Sequence, residues 1–255
     1  MKKLASLVSV SLWLLVSNTF GQDVDTANTK PTIVLVHGLW ADGSSWSKVI
    51  TPLVAKGFDV ISVQNPTTSL EDDVAATKIA IERAGSDVLL VAHSWGGFVI
   101  TEAGVHPRVK GLVYVAAFAP DKGETVPTLS TNAPSTRLSD FLQQFNGVLT
   151  VSRKGVGEAF AGDLPRKEQD VVYAVQQPAS PKVFSGVCNS AAWKTKPSWY
   201  VVASEDKTIN PELEKWMAKR ANAKTTTLKA SHVAMLAKPK EVLAVILDAA
   251  NSARK

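Results

Sequence analysis

A serine that does covalent chemistry needs three things: a sharp turn that exposes it, a base that takes its proton, and donors that receive the charge it creates. Residues Ala92-His93-Ser94-Trp95-Gly96-Gly97 supply the turn. An apolar, β-type run precedes Ser94, a helical pattern follows at once, and small residues stand two before and two after it. A strand-to-helix turn of this kind lifts the serine above the sheet, and small flanking residues let the backbone turn without clashes. The usual pattern has glycine at the first small position, where this chain has Ala92. Serine also caps ordinary helices, so the other two requirements must be met as well.

The chain has four histidines. His37 falls in the turn after the first strand pattern, His93 adjoins the serine, and His106 lies at the far end of a helical stretch. His232, in Ala230-Ser231-His232, follows the last strand pattern and so returns to the same end of a parallel sheet as Ser94. It is the expected base. Glu205-Asp206 follows the strand pattern Ser198–Ala203, again at the carboxyl end of the sheet. Asp206 is the expected orienting acid, with Glu205 and Asp121 as alternatives, and the order Ser94, Asp206, His232 is the one that accompanies a nucleophile on such a turn. Acyl transfer places negative charge on the substrate oxygen, which two backbone N–H groups must meet. Trp95, directly after the serine at a helix N-terminus, offers one. Leu39, after His37-Gly38, offers the second. His37 then shapes this loop and takes no part in proton transfer. Trp40, Phe160 and Trp193 are candidates for an apolar substrate pocket.

Positioning these residues requires a sheet whose strands end together. β-branched runs at 32–37, 59–64, 87–92 and 110–115 alternate with helical patterns at 45–56, 70–84 and 97–106. The strands are apolar on both faces, the mark of a parallel sheet covered by helices on each side. The alternation stops after Ala119, and seven of the thirteen prolines fall in the next 78 residues. Residues 120–197 are therefore expected to be a small helical cap, with helices at 139–145, 158–162 and 166–177 and no strands. Strand and helix then resume at 198–203, 211–221, 225–229 and 239–250. The reading is one α/β core, 31–119 with 198–255, holding an inserted cap.

A 255-residue chain that is 45% apolar and 20% charged can bury one sizeable core without staples. Its single cysteine, Cys188, cannot form an internal bridge and rules out C-x-x-C redox pairs, cysteine zinc clusters and iron–sulfur centres. Lys2 and Lys3 precede a mostly apolar run from Leu4 to Val16, followed by small and polar residues to Gly21. This layout predicts a signal peptide over 1–21, cleaved before Gln22, then a flexible tail over 22–30. The run is shorter than the roughly 20 apolar residues of a spanning helix, so no stable membrane anchor is expected after cleavage. Removing 1–21 takes away two lysines and no acid, which lowers the formal charge of +5 by two. Basic residues form no run of five and no stripe with aromatics, so nucleic acid is not an expected partner. The expected setting is periplasmic or secreted.

Taken together, Val36-His37-Gly38, the Ser94 turn, Val115-Ala116-Ala117-Phe118-Ala119-Pro120-Asp121, Glu205-Asp206-Lys207 and His232-Val233-Ala234-Met235-Leu236 resemble the α/β-hydrolase superfamily. Within it they resemble the branch of plant methylesterases and hydroxynitrile lyases, with similar bacterial esterases that include pyrethroid-hydrolysing ones. The resemblance implies the α/β-hydrolase fold, a Ser-His-Asp triad, no cofactor and no metal, and small ester substrates. The lyases carry threonine after the first-strand histidine and lysine after the catalytic one. This chain has Gly38 and Val233, which favours an ester hydrolase. A serine at the turn also disfavours dehalogenases and epoxide hydrolases, which use aspartate there. Two other functions fit the same residues: a cofactor-free perhydrolase or haloperoxidase, and a ligand-binding protein on a hydrolase fold.

Overall fold

The structure is a computed structural model and describes residues 30–253. The expected signal peptide, and all but the last residue of the expected tail, lie outside the described residues. Six strands form one sheet in the order β2-β1-β3-β4-β7-β8: β1 (Thr32–Val36), β2 (Val60–Ser62), β3 (Val88–Ser94), β4 (Val109–Ala117), β7 (Ser198–Ala203) and β8 (Lys224–Leu228). Every pairing in it is parallel. The strands β1, β3 and β7 are buried along their whole length, as the two-sided apolar runs require.

The helices follow from right-handed crossovers. From β1 the chain steps outward to β2 through α1 (Ser47–Ala55). From β2 it passes back over β1 to β3 through α2 (Leu70–Arg83), and on to β4 through α3 (Gly96–Ala103). The reversal puts α1 on one face and α2 and α3 on the other. The helix α7 (Pro211–Arg220) joins β7 to β8, α8 (Ala234–Ala237) is a single turn, and the last helix, α9 (Pro239–Ser252), packs on α1. The strand order reverses between β1 and β3, so the loops leaving their carboxyl ends part and leave a crevice where such sheets bind ligands.

Local chemistry sets the helix starts. Ser69 accepts from the Asp72 N–H at 3.1 Å and caps α2, whose first turn holds Glu71, Asp72 and Asp73. Asn210 accepts from the Glu212 N–H at 2.9 Å ahead of Pro211 and caps α7. By contrast, α3 has no side-chain cap on its N-terminus, which is the Ser94 turn.

Between β4 and β7 run short helices: α4 (Val126–Ser130), α5 (Arg153–Gly155) continuing as a π-helical turn Val156–Phe160, and α6 (Arg166–Ala174). The expected helix over 139–145 is not formed. One 3₁₀ turn at Leu138–Phe141 gives way to an antiparallel hairpin of β5 (Leu142–Phe145) and β6 (Val148–Val151). Its turn is Asn146-Gly147, both at positive φ (47° and 83°), the two-residue turn whose twist suits a hairpin. The hairpin continues into a bridge between Leu149 and Ala179, with N···O distances of 2.8 and 3.0 Å. Among the described residues, no helix is long and apolar enough to cross a membrane.

Candidate active site

Ser94 ends β3 with φ +55°, a left-handed conformation that costs a non-glycine residue about 1–3 kcal/mol. The surroundings impose it. A Cβ on Gly97 would stand 1.8 Å from the Phe118 carbonyl oxygen, so only glycine lets α3 begin this close to the chain leaving β4. Ser94 itself is 7% exposed.

His232 sits in the loop after β8. Its Nδ1 lies 2.6 Å from Asp206 Oδ2, and both side chains are fully buried. The other carboxylate oxygen accepts the N–H groups of Thr208 (2.6 Å) and Ile209 (3.0 Å). Asp206 thus offers His232 only an acceptor, which puts the ring proton on Nδ1. Nε2 is left as a bare acceptor, buried and without a hydrogen-bond partner among the described residues. The alternative acids are engaged elsewhere: Glu205 lies 3.6 Å from Lys229, and Asp121 pairs with Lys194 at 2.6 Å.

Sequence reasoning gave His93 no role, yet it ties the two chemical elements together. Its Nε2–H donates to the His232 carbonyl at 3.0 Å, and the two rings stand 4.5 Å apart. Burial, then the neighbouring His232, holds its pKa well below the ordinary histidine range, so it serves as a neutral strut beside Ser94. His37 does similar work at the end of β1. Its Nδ1–H donates to the Gly38 carbonyl (2.8 Å) and its Nε2 accepts the Asn65 N–H (2.9 Å), so both nitrogens are spent. Burial lowers its pKa as well. His106 lies away from this group and accepts the Arg108 N–H.

The loop that His37 shapes carries Leu39 and Trp40, the latter at φ +55°. Among the described residues, neither the Leu39 nor the Trp95 backbone N–H donates to a loop, turn or side-chain acceptor. The Trp95 side chain is fixed from below: its Nε1–H donates to Asp73 Oδ2 at 2.8 Å, and Asp73 Oδ1 accepts the Thr67 N–H at 2.7 Å. Asp73 is fully buried, and burial raises its pKa to about 6 against the lowering effect of these bonds. The sequence marks it only as an acid in a helix's first turn, and only tertiary packing reveals its role.

Of the expected pocket residues, two meet and one does not. Phe160 lies 5.0 Å from the His232 ring, and Trp40 packs edge-on against Phe160 at 6.3 Å. Trp193 is directed elsewhere. Its Nε1–H donates to the Pro120 carbonyl at 2.7 Å, and the Arg220 guanidinium stands 5.5 Å from its ring. A further tether was not legible in the chain: Asp163, in the 120–197 segment, accepts both the backbone N–H (2.8 Å) and the hydroxyl of Ser231, the residue before His232. A cavity of about 950 Å³ lies beside this tether, bordered by Arg137, Glu158, Asp163, Asp206 and Lys207. Its lining does not include Ser94 or His232. Among the described residues, no cluster of three His, Cys, Asp or Glu side chains could hold a metal ion.

The comparisons with known proteins agree with the fold. Residues 33–245 match the model of the Alpha/beta hydrolase family. An alpha/beta hydrolase of Aspergillus novofumigatus is 23% identical over 246 residues, covering 88% of this chain and 98% of its own. Methylesterase 9 of Arabidopsis thaliana is 26% identical over 258 residues, covering 86% and 97%. Among solved structures, a pyrethroid hydrolase from Sphingobium faniae superimposes with a TM-score of 0.73 at 23% identity, over 88% of this chain and 98% of that one.

Proposed function

Because this chain belongs to the alpha/beta hydrolase family, we propose that it is a serine hydrolase of small carboxylic esters working through an acyl-enzyme. The observation that carries this reading is the His232 ring: Nδ1 held by Asp206, Nε2 bare, on a loop bonded to the residue before a strained Ser94. Ser94 Oγ attacks the ester carbonyl as His232 Nε2 takes its proton, and Asp206 stabilises the imidazolium without itself taking the proton. The oxyanion meets the N–H groups of Leu39 and Trp95, and the uncapped α3 N-terminus adds its dipole. His232 then protonates the leaving alcohol. Water, deprotonated by the same nitrogen, releases the acid and restores Ser94. Related proteins that carry the name methylesterase, and one described as a carbendazim hydrolyzing esterase, support esters as the substrate class.

Trp40 and Phe160 form the apolar wall beside His232, and residues 120–197 act as the cap over the site. Residues 1–21 direct export to the periplasm or the medium, so the chain recovered from a secreting host has an intact mass lacking Met1–Gly21. The central test is hydrolysis of short and medium p-nitrophenyl esters by the mature protein and by Ser94→Ala. The wild type turns over, and the variant loses about a thousandfold or more. Equal inactivity of both proteins would overturn the reading.

A further inference from the structure

Behind the His232–Asp206 pair lies a second buried acid that the mechanism above does not use. Glu214, on the inner face of α7, is 0% exposed. Its Oε2 accepts the N–H of Ala203, the last residue of β7, at 2.9 Å. Its Oε1 meets no N–H or O–H donor among the described residues. Ala203, which donates its N–H to Oε2, accepts the Asp206 N–H at 3.1 Å, so the two acids are held at one turn.

Two ionised carboxylates cannot rest side by side in a buried site, since neither has a proton to share and each repels the other. One proton turns the repulsion into a hydrogen bond, and the donor census assigns it. Asp206 takes the Thr208 and Ile209 N–H groups and the His232 Nδ1–H, three donors that favour its charged form. Glu214 takes one. The other ionisable groups near Glu214 do not alter this assignment. Tyr200, on β7, is buried, remains neutral and donates to the Ala117 carbonyl. Lys215, the next residue on α7, is half-exposed and bonds Glu212 at 2.7 Å. Burial first, and then Asp206, raise the Glu214 pKa well above the carboxylic range.

We propose that Glu214 is a positioning residue whose Oε1–H donates to the Asp206 carboxylate, fixing that carboxylate against His232 and tempering its pull on the Nδ1 proton. The inference rests on the serine-hydrolase reading for its kinetic consequence and on burial and the donor census for its proton. Without the donated bond, Asp206 is more basic, His232 holds its second proton more tightly, and the enzyme requires higher pH to free Nε2.

The test compares wild type, Glu214→Gln and Glu214→Leu in the mature protein. Glutamine keeps both bonds, its N–H to Asp206 and its carbonyl to the Ala203 N–H. It is expected to retain kcat/KM within about threefold, with the acid limb of the pH profile in place. Leucine is expected to lower kcat about tenfold at unchanged KM and to move the acid limb upward, the loss expected for one hydrogen bond to a charged group. The infrared spectrum of wild type minus Glu214→Gln should contain the C=O stretch of a neutral carboxylic acid, which needs neither turnover nor a folded leucine variant. Absence of that band, or a Glu214→Gln profile displaced from wild type, overturns the proposal; so does a folded Glu214→Leu with an unmoved limb. A wild type that shows the band and hydrolyses no ester would overturn the serine-hydrolase reading and leave the proton assignment standing.

Discussion

The carboxyl end of the sheet and the 120–197 segment that packs against it are built by different means. At the sheet end, position comes from the backbone: Ser94 ends a strand, and Leu39, Asp206 and His232 each follow one, whose neighbours fix its register. Buried struts, His93, His37 and Asp73, then lock the loops. The 120–197 segment shares no strand with that sheet. It is attached by loop and side-chain bonds: Asp163 to Ser231, the Leu149 carbonyl to the Trp40 indole (3.0 Å), the Thr208 hydroxyl to the Ala159 carbonyl (2.9 Å), Pro178 and Ser180 to Thr67, and Glu124 to Arg220. A site set by strand register on one side and by loop and side-chain bonds on the other can keep its chemistry while its substrate wall varies.

If that contrast holds, the sharpest break comes at Gly97. Alanine there would place Cβ 1.8 Å from the Phe118 carbonyl oxygen, and only movement of main chain on α3 or after β4 relieves it. Gly97→Ala is expected to cost more than about 3 kcal/mol and to lower soluble yield, because both partners are embedded in the core. A urea midpoint equal to that of the wild type would show that the sheet end is softer than its packing implies.

The same contrast governs what can be read from the chain. The β1, β3 and β7 runs are apolar on both faces and the Ser94 turn joins strand to helix, so local pattern and tertiary position agree. The expected boundaries of α2 and α7 differ from the structure by a single residue at the C-terminus. In the 120–197 segment the pattern misleads. Ser139-Asp140-Phe141 starts as one helical turn, but Gln143 and Gln144 go on as strand because Asn146-Gly147 reverses the chain. That dipeptide favours a hairpin, but too few alternating apolar residues flank it to mark two strands. Trp193 illustrates a different limit: nothing local indicates which way a lone aromatic turns, and here Pro120 and Arg220 decide. Asp73 and Glu214 lie on amphipathic helices where acids ordinarily face water. Their burial depends on what stands opposite, which no local pattern encodes.

Asp73 makes the comparison quantitative through pH. Its pKa is raised from 3.8 to about 6 in the folded protein, so folding favours its protonated form. The sign follows from linkage. The stability linked to this raised pKa is fully present below about 3.8, declines as pH rises through about 6, and is lost above it. At most about 3 kcal/mol is at stake. Asp73→Asn should flatten this part of the curve of unfolding free energy between pH 4 and 7 relative to wild type. Parallel curves for the two proteins would mean that the Asp73 carboxyl titrates normally.

In the 120–197 segment, Asp163→Ala removes the acceptor of the Ser231 N–H and hydroxyl. The loop holding His232 keeps its bonds to Asp206 and His93, so the chemistry should persist with kcat lowered about three- to tenfold and little loss of stability, the scale of one or two hydrogen bonds. A loss as deep as that of Ser94→Ala would place Asp163 within the chemistry itself.

The gentlest probe is Gly147→Ala. Nothing lies within 4 Å of a Cβ added there, so its cost is purely conformational: φ +83° is open to glycine and strained for alanine. About 1 kcal/mol of local strain is expected at the hairpin turn, and it should remain there, because the hairpin is joined to its surroundings beyond the turn, by the bond from the Trp40 indole to the Leu149 carbonyl and by the Leu149–Ala179 bridge. The expected outcome is a small fall in the urea midpoint, unchanged kcat on small esters, and a raised KM for esters large enough to touch Trp40. A fall in kcat on the smallest ester would instead mean that strain in the hairpin reaches Ser94 or His232, and that the two regions are one mechanical unit.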